Sequence, residues 1–425
     1  MEGLIRDHVM QHIETNKLVS FCQHGFVGGR SCSTQLTYCL DIWMKLLDEG
    51  ASLDVAYLDF AKAFDSVPHR RLLRKLQTYG FTHQLLKWSE GFLTGRRQRV
   101  MVNGEASSWS EVLSGVPQGS VLGPLYFVLF INDMPEVVHN YIALFADDAK
   151  LFSRIETEED YSDMQQDLVL LQEWAQKWQL NFNATKCKVL QLGRQNPKHR
   201  YKMSGHELGT ISEEKDLGVM IDDQLKFDVH TERQVAKANK QLGLIRRSFD
   251  SLDSDSFTLL YKSLVRTHLE YCNAVSYPIY DRQERLLEGV QRRATKLVPG
   301  VKHLDYTDRL KKLHLPSLYY RRARGDIIEV FKYVRGVYKV ESCPFQLDDN
   351  PVTTRGHKYK LKKPRCNKPS TQKFFTYRAI NAWNNLPEEV VDAPTLNTLK
   401  NRLDAHWKPF HYSLEPFQQP FPAQI

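Results

Sequence analysis

The stretch YIALFADDAKLF, residues 141–152, is an apolar run, two adjacent aspartates and a second apolar run. It predicts a β-hairpin with buried arms and acid at its tip, because the apolar residues must leave water while Asp147 and Asp148 must keep it. Two ionised carboxylates side by side on a tight turn repel, a cost relieved by solvent or by a bound cation. LDVAYLDF (53–60) is short and apolar, as a buried strand would be, and carries an aspartate near its end, Asp59. If the two elements are neighbours in one sheet, three carboxylates converge. Oxygen-rich sites of that kind hold Mg²⁺, and two such ions roughly 3.5–4 Å apart serve in-line phosphoryl transfer. Asp-Asp is also a common turn dipeptide, so these residues alone leave an ordinary structural role open.

Outward from this hairpin the first half alternates helices and strands. Helices are expected over 2–15, 34–48, 69–80 (ended by Gly80) and 158–178, with an apolar helix over 120–134. Strands are expected over 185–193 and 215–222, and a hairpin over 96–115 turning at Asn103-Gly104. Beyond about Leu225 the pattern turns helical, around 229–249, 254–273, 281–298 and 317–335. An α+β domain followed by a separate helical region is the organisation this implies.

The chain has 425 residues, enough for two or three domains, and its 42% hydrophobic and 25% charged residues exclude a disordered, collagen-like or membrane-spanning chain. Its formal charge of +8 is uneven: residues 1–225 sum to −6 and 226–425 to +14. A basic half of this kind suits a polyanion or a merely solvated surface. RGHKYKLKKPRCNKPSTQK (355–373) carries eight Lys/Arg and no acid. The seven scattered cysteines form no C-x-x-C pair, which favours reduced thiols over a disulfide framework or zinc knuckle. No long apolar run marks a signal peptide or a membrane span, which places the chain inside the cell, in nucleus or cytoplasm.

DVAYLDFAKAFDSVPH (54–69), SGVPQGSVLGPLYFVLFINDM (114–134) and LFADDAKLF (144–152), in that order, resemble motifs A, B and C of reverse transcriptases. They are most similar to the type encoded by LINE-like non-LTR retrotransposons, including jockey-like elements. QHGFVGGRSCSTQL (23–36) resembles a fingers motif, LNFNATKCKVLQLG (180–193) motif D, and EEKDLGVMIDDQLKF (213–227) the primer-grip motif and the thumb entry. The resemblance implies a right-hand polymerase with partial fingers and palm over 1–225, an all-helical thumb over 226–300 and a helical, basic C-terminal extension over 301–425. It implies RNA-directed DNA synthesis from dNTPs on an RNA template and DNA primer, with two Mg²⁺, or Mn²⁺, on Asp59, Asp147 and Asp148.

The other roles follow the motifs residue by residue. Phe64, five positions after Asp59, would press on C2′ of the sugar and reject a 2′-hydroxyl, against the alternative of an ordinary core aromatic. Gln118 and Gly119, just before a helix, would contact template and nascent pair, or merely launch that helix. Lys186 would protonate the pyrophosphate leaving group, or be an exposed lysine at a strand start. Arg30 would lie near the incoming triphosphate or template. Lys237, Lys240, Arg246, Arg247, Arg292, Arg293 and Lys296 would meet backbone phosphates, and Tyr359 would stack on a base. Asp65 has no assigned role beyond a helix cap or solvated acid.

The family's endonuclease and first fingers strand would precede Met1, so the sequence reads as N-terminally truncated. Alternatives are a catalytically degenerate nucleic-acid-binding remnant, an intron maturase-like protein, and, disfavoured by Phe64, an RNA-dependent RNA polymerase.

Overall fold

In the computed structural model, which describes residues 1–278, 280–348 and 356–415, the LDVAYL segment is strand Leu53–Leu58 at the centre of a five-stranded sheet. Its position follows from composition: Leu53, Val55, Ala56 and Leu58 are all buried, which a strand achieves only with neighbours on both edges and cover on both faces. It pairs antiparallel with Asp148–Arg154 on one side and Lys188–Leu192 on the other. Tyr141–Phe145 continues the sheet beyond Asp148–Arg154, and Gly209–Ile211 closes the far edge in parallel with Lys188–Leu192. The expected acid-tipped hairpin and the expected central strand are therefore adjacent. The mixed helix-and-sheet class expected from the sequence is observed.

One face of the sheet lies in a core shared with helices. Ala56, Leu58, Ile142, Leu144, Leu151 and Val189 belong to the same buried cluster as Tyr126, Phe127, Phe130, Leu168 and Leu171. Helix Gly123–Ile131 is buried at every position except Pro124, which explains why its sequence shows no polar face. Helix Glu158–Trp178 starts at a capping box in which Thr157 Oγ1 accepts from Asp160 N and Asp160 returns the bond to Thr157 N. Helix His69–Thr78 ends at Tyr79 and Gly80, the latter at φ +84°. It buries Lys75, whose ammonium lies 3.7 Å from the centroid of the Trp178 ring, donates to the Phe130 carbonyl and pairs with Asp133 at 2.5 Å. Burial pushes the Lys75 pKa down to about 8 despite Asp133.

Some expectations change. The hairpin expected over 96–115 is built of two short ladders, Met101–Val102 with Glu105–Ala106 and Arg97–Gln98 with Ser110–Glu111; Asn103 and Gly104 both take positive φ at its turn. The single strand expected over 215–222 is instead two strands, Glu213–Asp216 and Val219–Asp222. Leu217 (φ +44°) and Gly218 (φ +89°) reverse the chain between them. A helix at His83–Leu93 was not anticipated; its cap is Thr82, whose side chain accepts from Leu85 N.

By internal contacts the chain forms two units, one of Met1–Gln35 and Gly50–Ser212, the other of Leu36–Glu49 and Glu213–Ile425. Among its described residues the second has helices as its regular structure apart from the 213–222 hairpin and a bridge between Leu347 and Leu361. Its helices include Asp228–Ser248, Ser254–Leu260 continuing through a π-turn at Tyr261–Val265 into Arg266–Glu270, Asp281–Ala294 and Leu318–Val334. The apolar clusters that stabilise it include one around Phe257, Val290 and Leu310 and another around Ile327, Phe375 and Trp383. Arg355, the first residue of the basic stretch, lies outside the described residues. Within that stretch Tyr359 is part-buried, with the Arg335 guanidinium 4.8 Å from its ring, so an arginine already covers the aromatic that was expected to meet a base.

Candidate active site

The antiparallel register places the acids. The last pair between Leu53–Leu58 and Asp148–Arg154 is Leu58 with Ala149, so Asp59 and Asp148 follow at the next rung. Asp147 sits in the two-residue turn between Phe145 and Asp148, where Ala146 takes φ +51°. Asp59 Oδ2 is shielded from solvent and accepts no hydrogen bond; Lys186 Nζ stands 3.5 Å from it. Burial, and next the charge of Asp59, raise the Asp147 carboxyl above its ordinary value. The charge of Asp59 acting on Asp147 puts the two carboxylates in one electrostatic neighbourhood. Asp148 is exposed.

These residues fit a divalent cation as a pair. An oxygen without a hydrogen-bond donor and a second carboxylate that burial and a like charge make costly to ionise are both relieved by a cation. The full three-carboxylate convergence is not seen: among the described residues no three His, Cys, Asp or Glu side chains form a metal-binding group.

Lys186 reaches Asp59 because the chain before it is tied to the end of the central strand. Phe60 bridges Phe182 with rings stacked at 4.4 Å, Ala61 N donates to Asn181 O, and Asn183 N donates to Asp59 O. Asn183 O in turn accepts from Lys186 N and Cys187 N. Cys187 is buried, and its Sγ lies 3.4 Å from the Asp59 amide that donates to it; burial raises this thiol's pKa. The lysine itself keeps 68% of its side chain in solvent.

The acidic turn is held by residues that sequence reasoning passed over. Gln23 Oε1 accepts from both Gly25 N (2.7 Å) and Ala146 N (2.9 Å), and Gln23 is fully buried. Cys22 O accepts from Leu144 N while Leu144 O accepts from His24 N, so residues 22–24 form a short strap along the hairpin edge. A Cβ at Gly25 would stand 2.4 Å from Ala146 N, so only glycine permits this approach. The signal was present in QHGFVGGR, where a buried amide precedes a glycine by two residues. Arg30 belongs to the same strap: its Nη1 donates to the carbonyls of Ser20, Phe21 and Gln23. His24 is buried against Thr34 Oγ1 at 2.8 Å, and burial, aided by Arg30 and Lys150, pushes its pKa down to about 3. Lys150, two residues beyond Asp148 on the same strand face, is also buried.

The GVPQGS loop is fixed differently. Gly115 N donates to Val67 O, Val116 N to Phe64 O, and His69 Nε2 meets Gly115 O at 2.8 Å. Gln118 Nε2 donates to Asp65 Oδ1 at 2.9 Å, which gives Asp65 the role the sequence left unassigned. Gln118 and Gly119 are exposed, Gly119 at φ +81° with open space around it. Phe64 is half-buried, its ring stacked on Phe127 at 4.4 Å. The first amides of helix Gly123–Ile131 are already engaged: Glu2 Oε2 accepts from Val121 N and Leu122 N, and Ser120 Oγ from Gly123 N. The amides of Val121 and Leu122 thus meet a carboxylate of the same chain, and that of Gly123 a neighbouring hydroxyl.

Comparison with known proteins gives this arrangement a lineage. A probable RNA-directed DNA polymerase from transposon X-element of Drosophila melanogaster is 29% identical over 313 residues, covering 70% of this chain and 34% of that protein. The RNA-directed DNA polymerase from mobile element jockey of Drosophila funebris is 29% identical, covering 64% of this chain and 31% of its own length. The chain thus spans about a third of these relatives. Among solved structures, apo telomerase from Candida tropicalis aligns with 74% of this chain and 54% of its own at 10% identity and a TM-score of 0.41, too distant to bear on the argument. The family described as reverse transcriptase (RNA-dependent DNA polymerase) matches residues 2–219, about half the chain and all of the acidic site. The chain therefore belongs to the reverse transcriptase family.

Proposed function

We propose that the chain is an RNA-directed DNA polymerase of a non-LTR retrotransposon, extending a DNA primer along an RNA template with dNTPs. The observation that carries this reading is the shared neighbourhood of Asp59, Asp147 and Lys186 at the mouth of the sheet. In this reading the sheet and its helices are the palm, residues 226–300 the thumb and 301–425 an extension. The primer 3′-oxygen attacks the α-phosphorus, the bond to pyrophosphate breaks, the hydroxyl proton leaves and pyrophosphate gains a proton.

Asp59 and Asp147, joined by Asp148, would hold divalent cation, Mg²⁺ as a pair of ions or Mn²⁺ in its place, which supplies charge neutralisation at the attacked phosphate and an acidified primer hydroxyl. Lys186 presents an ammonium beside Asp59, suited to giving the leaving pyrophosphate its proton. Phe64, held by Phe127, is a stiff ring suited to excluding a 2′-hydroxyl. Gln118, positioned by Asp65, and Gly119 present an exposed edge to template and nascent pair. Arg30 acts on nucleotide binding through the strap it anchors. Lys240, Arg246, Arg247 and Lys296 are exposed and suited to backbone phosphates. Among the described residues no helix is long and apolar enough to cross a membrane.

The test is primer extension on an RNA template by the purified chain and by Asp147→Ala and Asp147→Asn. Both should lose incorporation by roughly three orders of magnitude or more, the scale at which electrostatic stabilisation acts. Asp147→Asn should also melt higher at pH 7, since it removes a carboxylate whose ionisation burial and Asp59 make costly. Undiminished synthesis by either variant sinks the site. A non-polymerising nucleic-acid-binding protein is the second reading, favoured by the absence of a three-ligand group among the described residues. Intact affinity for primer-template with no incorporation, even in Mn²⁺, selects it.

A further inference from the structure

In the first unit every residue from 94 to 111 is exposed, although Val100, Met101, Val102 and Trp109 are among them. Large apolar side chains gathered on one exposed element mark an interaction site, where singly scattered ones do not. The element is the two-ladder hairpin, in which Arg97 pairs with Glu111 and Met101 with Ala106. Four positions lead from Arg97 to Met101 and five from Ala106 to Glu111, so the second arm carries a one-residue bulge and the first keeps its alternation.

That alternation puts Arg97, Arg99 and Met101 on one face of the first arm, with Glu111 and Ala106 on the same face of the second. Trp109 joins them, its ring centroid 4.7 Å from the Arg99 guanidinium carbon. Met101 and Trp109 keep 61% and 58% of their surface in water. Charge divides by arm: Arg96, Arg97 and Arg99 lie on the first, Glu105 and Glu111 on the second. Among the described residues the side chains of Arg97 and Glu111 have neither an ion-pair nor a hydrogen-bond partner. The face is therefore apolar at its middle, with an unpaired cation and an unpaired anion at equal height on its two arms.

We infer that this face binds a second copy of the chain. A two-fold axis running along the arms lays the first arm of each copy over the second arm of the other and keeps every residue at its own height. Arg97 then meets Glu111 of the second copy, twice over, while Met101 packs on Ala106 and Arg99 lies near a second Trp109 ring. An axis across the arms would instead set arginines against arginines. Charge complementarity selects the occupant: a nucleic-acid strand would suit the first arm and be repelled by the second, whereas a second copy uses both. One face of an 18-residue ribbon is smaller than the roughly 20–30 residues a side of a standard interface, so the pair is weak, dissociating on the order of 10 µM. None of this depends on the polymerase reading.

The experiment is sedimentation velocity on the full chain, free of nucleic acid, between about 1 and 100 µM, where a monomer–dimer equilibrium should appear. Arg97→Glu and Glu111→Arg should each weaken the dimer about tenfold or more, because each sets like charges together at two places. An equimolar mixture of the two variants pairs opposite charges again and should recover the original affinity to within about threefold. Trp109→Ala should weaken the dimer about tenfold. All three sites are exposed, and unchanged circular dichroism should show the fold intact. A chain that stays monomeric to about 100 µM overturns the proposal, and loss of duplex RNA–DNA affinity in monomeric Arg97→Glu would assign the face to nucleic acid instead. A dimer indifferent to both charge reversals, or a mixture that fails to recover it, also overturns the proposal. Primer extension by Asp147→Ala reports on the polymerase reading separately.

Discussion

The Asp147–Asp148 turn and the GVPQGS loop are both held by residues distant in sequence, but with opposite redundancy. The acidic turn hangs on one neutral amide, Gln23, which serves two backbone N–H groups, and on the absence of a side chain at Gly25. The loop is secured by two backbone bonds to the 64–67 turn, by His69, and by Asp65 through Gln118. A turn carrying two carboxylates cannot bury more of its own surface without raising the cost of ionising them, so its support comes from behind. The loop carries no charge, and docking it directly costs less.

The comparison breaks first at Gly25. Gly25→Val drives a side chain into the Ala146 backbone, and displacing the turn by about 1 Å should reduce primer extension on the order of 100-fold. Far-ultraviolet circular dichroism should show the fold retained; an active Gly25→Val enzyme would mean the strap does not position the acids.

Next is Gln23→Leu, which orphans the amides of Gly25 and Ala146 and should cost roughly 1–3 kcal/mol for each. Asp65→Ala, which frees only the exposed Gln118, should cost about 1 kcal/mol or less when both variants are unfolded in urea. Equal losses in the two variants would erase the difference between the turns.

The last effect is with pH. His24 lies in the strap with a folded pKa of about 3 against an ordinary 6.5, lowered by burial and by Arg30 and Lys150. The unfolded chain therefore takes up the proton first, so this stability is full above pH 6.5 and is lost as the pH falls toward 3. Hydrogen exchange between pH 7 and 4.5, corrected for intrinsic rates, should release the Leu144 and Ala146 amides before those of Gly115 and Val116. His24→Asn should flatten that trend.

The short apolar run of Leu53–Leu58, the acid at the hairpin tip, the helix over 158–178 and the helical character beyond residue 225 were all legible in the sequence, because each depends on a local pattern of apolar, polar and glycine residues. The 217–218 reversal was missed because it rests on positive φ at Leu217 as well as Gly218, and leucine gives no sign of that conformation in sequence. Asp59 and Asp147 were named as partners from motif order. Their charge coupling, the 3.5 Å approach of Lys186 and the retreat of Asp148 to an exposed position exist only once strand register is set. Arg30 illustrates the limit: its residue type suggested phosphate, and tertiary structure turned its Nη1 inward to three carbonyls. By itself the sequence determined which segments fold and which carboxylates lie at their ends. Tertiary structure decided which oxygens face a like charge, which donors are already spent and which remain unmatched, because satisfaction of a buried polar group depends on neighbours that chain order does not specify.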